Sequence, residues 1–127
     1  MKTNQWLTYL LDEHRADLTG VLRGEAAARG GLAPDAAIEA WVTALRDDLD
    51  AEAEQPDPRR TLDELVALAA ILGAPPADLV PFWDQAEQRL NAYVAAEPDM
   101  VAGAKRLAYL RLSTFGQAVR QYLTSEQ

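Results

Sequence analysis

Apolar residues recur along this chain at helical spacing, in runs separated by proline and glycine. The first run extends from about Asn4 to Ala28. It carries Leu7, Leu11, His14, Leu18 and Val21 at i, i+4, i+7, i+11 and i+14, widened by Trp6, Leu10 and Leu22. That spacing predicts one continuous amphipathic helix with its stripe against a core. Gly20 and Gly24 weaken its second half, by about 1 kcal/mol each relative to alanine, and Gly30-Gly31 ends it. A second helix starts near Pro34, a good first-turn residue. Its stripe is Ile38, Trp41, Val42, Leu45 and Leu49. It decays into an acidic stretch and breaks at Gln55-Pro56-Asp57-Pro58. Thr61 and Glu64 have capping-box spacing and open a third helix, which runs through Leu65, Leu68, Ala69 and Leu72 to Gly73, a natural residue just past a helix end.

A fourth helix begins at Pro75-Pro76, with the stripe Leu79, Phe82, Trp83, Ala86, Leu90, Tyr93 and Val94. Pro81 lies about a turn in and removes a backbone hydrogen bond, so a kink or a delayed start is expected there. Glu97-Pro98 separates it from a fifth helix, expected from Pro98 to Ser125 and roughly 42 Å long at 1.5 Å per residue. The apolar stripe of that last helix is Val101, Ala104, Leu107, Ala108, Phe115, Val119, Tyr122 and Leu123. No alternating run between turn residues suggests a strand. The pattern predicts an all-α, five-helix bundle spanning residues 1–127 as one domain, closed by a long C-terminal helix.

Composition narrows the functions open to such a bundle. The 127 residues are 49% hydrophobic, enough for a real core and too many for disorder. Cysteine is absent, so disulfides, thiolate chemistry and Cys-ligated zinc are excluded. A single histidine removes most His-based metal and triad sites. The net charge of −8 sets the chain against phosphate backbones. No segment approaches the ~20 apolar residues of a membrane span, and the start lacks the apolar run of a signal peptide. The expectation is a cytoplasmic protein without metal or cofactor.

His14 is the most tempting candidate residue. On a buried stripe it could act as a pH or ligand switch, or it could be an ordinary core histidine with its nitrogens satisfied. No H-x-x-x-H or E-x-x-H pair accompanies it for a metal. Trp41, Trp83, Tyr93 and Phe115, with Phe82, also fall on core stripes. Aromatics converging between helices can wall a small-molecule pocket, though they more commonly fill volume. The acidic run Asp47, Asp48, Asp50, Glu52 and Glu54 sits where a helix dipole disfavours negative charge. It lacks the glycine turn of a calcium loop and reads as a solvated face. Thr61 to Trp83 has the outline of a helix-turn-helix. Its second helix offers no Arg, Lys, Asn or Gln at its start to read base edges, and it carries Asp78. Phe115, Val119, Tyr122 and Leu123 exceed what the last helix needs for a core, which points to a homodimer through that helix.

Three features together carry a family resemblance. They are the opening Trp6, Leu7, Leu10, Leu11, His14 and Leu18; the Leu65 to Leu72 helix ending at Gly73 and followed by the Leu79 to Val94 helix; and the final Leu107 to Leu123 helix. In this order they resemble the N-terminal, non-haem globin-like sensor domain of stressosome RsbR-type proteins. The resemblance implies a globin-like fold without haem, dimerisation, and a signal passed through the last helix to a C-terminal output domain. This chain departs from the pattern in ending with that helix. The lack of haem fits the residues, because a proximal histidine belongs on a late helix and the one histidine is on the first. The expected function is therefore a non-catalytic regulatory sensor or interaction domain. The alternatives are a helix-turn-helix DNA-binding regulator, and a small-molecule-binding helical domain or enzyme.

Overall fold

The computed structural model describes residues 1–29, 35–51 and 56–125. Its elements are α1 (Thr3–Glu13), α2 (Arg15–Ala28), α3 (Asp35–Asp50), α4 (Arg59–Leu72), a 3-10 turn (Pro76–Leu79), α5 (Val80–Ala96) and α6 (Ala102–Ser125). Among the described residues there is no strand. The architecture is an all-α bundle with a long C-terminal helix. α3 packs on α4 and α5 packs on α6, forming two hairpins. The N-terminal pair bridges them: α1 touches α3, α5 and α6, and α2 touches α3 and α5. Leucines 7, 10, 11, 18, 22, 45, 49, 65, 68, 79, 90, 112 and 123 are nearly or fully buried and join the aromatics in one contiguous core. Each such leucine contributes about 1.5–3 kcal/mol by leaving water.

Two of the expected helix ends are built as the chemistry requires. Gly73 adopts φ 67°, the left-handed region that glycine enters at no steric cost. The Ala74 amide then bonds the Ala69 carbonyl at 2.9 Å and the Gly73 amide the Ala70 carbonyl at 3.2 Å, a Schellman closure. The start of the fourth predicted helix is delayed: Pro76–Leu79 forms a 3-10 turn and α5 begins at Val80, with Pro81 in its first turn, where no amide is needed.

Four expectations are corrected. The first predicted helix is two: His14 leaves helical geometry at φ −109°, ψ 19°, between α1 and α2. The Thr61–Glu64 capping box does not form, because the N-cap of α4 is Pro58, three residues earlier, and Thr61 sits inside the first turn. There Asp48 of α3, 7% exposed, accepts the Thr61 amide and hydroxyl, each at 2.7 Å. A carboxylate from the neighbouring helix thus does the work of an N-cap that Pro58 cannot do. Asp48 is therefore not part of a solvated acidic face. Burial pushes its carboxyl up from the ordinary value, against the lowering effect of the Thr61 hydrogen bonds. Finally, α6 begins at Ala102 rather than Pro98, and its buried stripe is Ala108, Leu112, Phe115, Gly116, Val119 and Leu123. Val101, Leu107 and Tyr122, expected on that stripe, are exposed. Gly30, Gly31, Pro34, Glu52, Glu54 and Gln55, invoked as helix punctuation or acidic face, lie outside the described residues.

Basic side chains of α6 close the ends of other helices. Arg111 donates to the carbonyls of Leu49 and Ala51, at 3.0 Å each, and Asn4 of α1 donates to that of Asp50 at 3.0 Å. Lys105 reaches the Ala95 carbonyl at 2.8 Å, at the end of α5. Positive charge at a helix C-terminus meets both the orphan carbonyls and the dipole.

Candidate functional site

The five residues expected to share a pocket divide between two places. Trp41, Trp83 and Phe115 are fully buried and meet Phe82 in the centre of the bundle. Trp41 packs edge-on to Phe82 at 5.4 Å and to Trp83 at 6.3 Å, and Trp83 lies 5.3 Å from Phe115. These rings fill volume and wall no cavity among the pockets described below. Both indole nitrogens, Trp41 Nε1 and Trp83 Nε1, are buried without a hydrogen-bond partner among the described residues. Gly116 allows the close approach of α6 here: a Cβ on it would fall 2.9 Å from Trp83 Nε1 and nearer still to the Glu87 carboxylate.

His14 and Tyr93 are brought together at the break between α1 and α2. Their rings stack at 4.2 Å with planes 10° apart. The histidine is only partly buried, a correction to its expected place within the core, whereas Tyr93 is 7% exposed. The Tyr93 hydroxyl donates to the carboxylate of Asp17 on α2. Arg89, one turn before Tyr93 on α5, lies 3.8 Å from the same carboxylate. Burial, then the Asp17 carboxylate, pushes the Tyr93 hydroxyl well above its ordinary range. At neutral pH it stays a proton donor, unfit as a general base or nucleophile. The cluster ties α1, α2 and α5 together through one stack, one hydrogen bond and one ion pair. Asp17 and Arg89 are the members that sequence reasoning missed. Neither lies on an apolar stripe, and their partner is 76 positions away in the case of Asp17.

The expected dimer residues are also redistributed. Phe115, Val119 and Leu123 are fully buried in the chain's own core, because Leu112 and Gly116 turn that face of α6 onto α5 and α1. They are unavailable to a second copy. Tyr122 is 42% exposed and borders a small cavity of about 240 Å³ with Arg59, Leu62 and Asp63. The most exposed large apolar residues of α6 are Leu107 (56%) and Leu110 (63%), with Tyr109 and Tyr122 less so and Val101 just ahead of the helix (72%). Gly103, Leu107, Leu110 and Thr114 follow at the spacing of one outer stripe.

A wider groove, about 640 Å³, lies between α3 and α4. Its α3 side is small: Ala36, Ala40, Thr43 and Ala44. Its rims carry Glu39, Asp47, Asp63 and Glu64, with Arg60 among them. Arg15 of α2 holds Glu39 at 2.9 Å and donates to Thr43 at 2.6 Å, and Arg60 pairs with Asp47 at 3.3 Å.

The Thr61–Trp83 segment bends sharply, with 106° between α4 and the Pro76–Ala96 stretch. Phe82 and Trp83 are buried, and the exposed residues at the start of the second arm are Asp78 and Pro81. No single helix among the described residues is long and apolar enough to cross a membrane. No three carboxylate or histidine side chains among them converge as metal ligands do. In comparison with known proteins, the chain matches no family model, no curated sequence and no solved structure.

Proposed function

We propose that this chain is a cytoplasmic, non-catalytic regulatory domain that dimerises and relays a change of helix packing through α6. It would act in the manner of the non-haem globin-like sensor domains of the stressosome, on an output domain or a separate partner protein. The observation that carries this reading is the placement of α6. It packs on α1, α4, α5 and the 3-10 turn while keeping Leu107 and Leu110 outside. At 24 residues it is about 36 Å long, so a shift at one end reaches the other as a rigid body. The break at His14 is the natural place for such a shift to begin. There the contact between α2 and α5 includes a half-exposed polar cluster rather than close-packed hydrocarbon alone. Four of the half-buried or buried carboxylates are engaged within the bundle: Asp48 with Thr61, Asp17 with Tyr93, and Asp84 and Glu87 with Arg120.

In this reading two copies meet across a two-fold axis through the outer stripe of α6. Leu107 of one protomer then faces Leu110 of its partner, and Gly103 allows the backbones to approach. Light scattering on the full chain is expected to give twice 13.9 kDa. The pair Leu107→Glu and Leu110→Glu is expected to return it to a monomer with unchanged helicity. A monomer at every concentration contradicts the reading.

The 106° bend of Thr61–Trp83 favours a second reading, a helix-turn-helix DNA-binding regulator. Asp78, Pro81 and the net charge of −8 oppose it. Titration with random duplex at low salt separates the two: tight binding that weakens steeply with added salt supports the DNA reading, and its absence removes that reading.

A further inference from the structure

We propose that the groove between α3 and α4 is a docking site for a basic amphipathic helix of a partner protein. Alanines 36, 40 and 44 follow one another at i, i+4 and i+8 along α3, so along that stripe the groove wall projects nothing beyond Cβ, with Thr43 beside it and Glu39 and Asp47 at its margins. A helix can approach such a surface closely, within the 8–10 Å usual between packed axes. The stretch from Ala36 to Asp47 is about 17 Å long, room for roughly three turns of an incoming helix. Below the trough the two walls are fixed by Leu45 and Leu65 in the core and by Asp48 on Thr61, so the groove is preformed.

Charge selects the occupant. Four carboxylates line the groove against a single guanidinium, Arg60. Glu39 and Asp47 have arginine partners, whereas Asp63 and Glu64 of α4 carry no ion pair among the described residues. They stand one turn beyond Arg60 on the same wall, placed to meet arginines flanking an apolar stripe. A nucleic acid, or a second copy of this chain at net charge −8, would bring more negative charge to the same place. A helix with an alanine and leucine face bordered by Arg or Lys satisfies both the floor and the rim. This inference does not depend on dimerisation through α6, which lies on another surface.

The test uses the full chain, 15N-labelled, and two synthetic peptides of about five helical turns. Both have the same Ala/Leu face, one bordered by Arg and the other by Glu. The Arg peptide is expected to shift the amides of Ala40, Thr43 and Glu64, to bind less tightly as salt rises, and to outbind the Glu peptide. Asp63→Lys with Glu64→Lys, at solvent-accessible positions, is expected to weaken it by about tenfold or more. Ala40→Gln is expected to do the same by filling the groove without changing charge. Equal binding of the Glu peptide, shifts confined to the α6 face, or unchanged affinity in both variants overturns the proposal. So do groove shifts that grow with protein concentration in the absence of peptide, which would make a second copy the occupant. Loss of the dimer with peptide binding intact would sink the α6 reading alone.

Discussion

The bundle holds two aromatic sites of opposite construction. At its centre, Trp41, Phe82, Trp83 and Phe115 are sealed from water, and two indole N–H groups have no partner among the described residues. At its edge, His14 and Tyr93 stack where α1 breaks from α2, and the phenol's one donor is answered by Asp17. The first site gains by burial and tolerates poor polar matching. The second contributes less burial but joins three helices through directional contacts. A core built like the first resists rearrangement because any move opens a cavity. A junction built like the second can exchange its partners with water at modest cost, which is what a relay needs.

The sharpest way to break this contrast is to empty the centre. Trp83→Ala is expected to cost about 3–5 kcal/mol in chemical denaturation, by lost burial and a cavity between α5 and α6. Trp83→Phe is expected to cost roughly half of that or less, since it keeps a ring and removes a donor that lacks a partner. If the two cost the same, the indole N–H has a partner that matters and the sealed site is not as apolar as its packing implies.

A smaller effect is expected where α3 meets α4. Asp48→Ala leaves the Thr61 amide and hydroxyl without an acceptor and is expected to cost about 1–3 kcal/mol. Asp48→Asn keeps an oxygen for Thr61 and is expected to be close to neutral in acid, where the wild-type carboxyl is protonated. Asp48→Asn and the wild type should also diverge with pH. Burial raises the folded-state pKa of Asp48, so the native chain holds this proton to higher pH than the unfolded chain does. Its contribution is most favourable below the ordinary carboxylate value and is lost as pH rises through the raised folded value. Asp48→Asn should therefore gain on the wild type across that acid window and hold its gain above it. A gain that shrinks with rising pH contradicts the desolvation account.

What could be read from the sequence follows from the range of the forces involved. The helical stripes, the Gly73 terminus and the delayed start at Pro81 are local matters of periodicity, φ and a missing amide, and residues within one turn announce them. The break at His14 has no Pro or Gly to signal it, and its partners Asp17, Tyr93 and Arg89 meet only after α5 has folded back. Asp48 looked misplaced at the end of its own helix because the amides it serves belong to the next one. The face of α6 was the costliest misreading. Leu107 and Leu110, and Phe115 and Val119, all fit some helical stripe, and only the position of α1 and α5 decides which pair is inside. The candidate site was legible as a set of residue types, His14 and Tyr93 among them, and not as a place.

The smallest perturbation tests the central claim most directly. Tyr93→Phe deletes only the hydroxyl that Asp17 accepts, at an expected cost of about 1 kcal/mol. Amide hydrogen exchange should be compared between this variant and the wild type across the whole chain. If α6 relays the packing of the His14 junction, protection changes not only in α1, α2 and α5 but also along Leu112 to Val119, in a helix that Tyr93's hydroxyl does not bond. Exchange that changes around His14 and Asp17 and stays the same throughout α6 contradicts the relay, and with it the reading of this chain as a sensor domain.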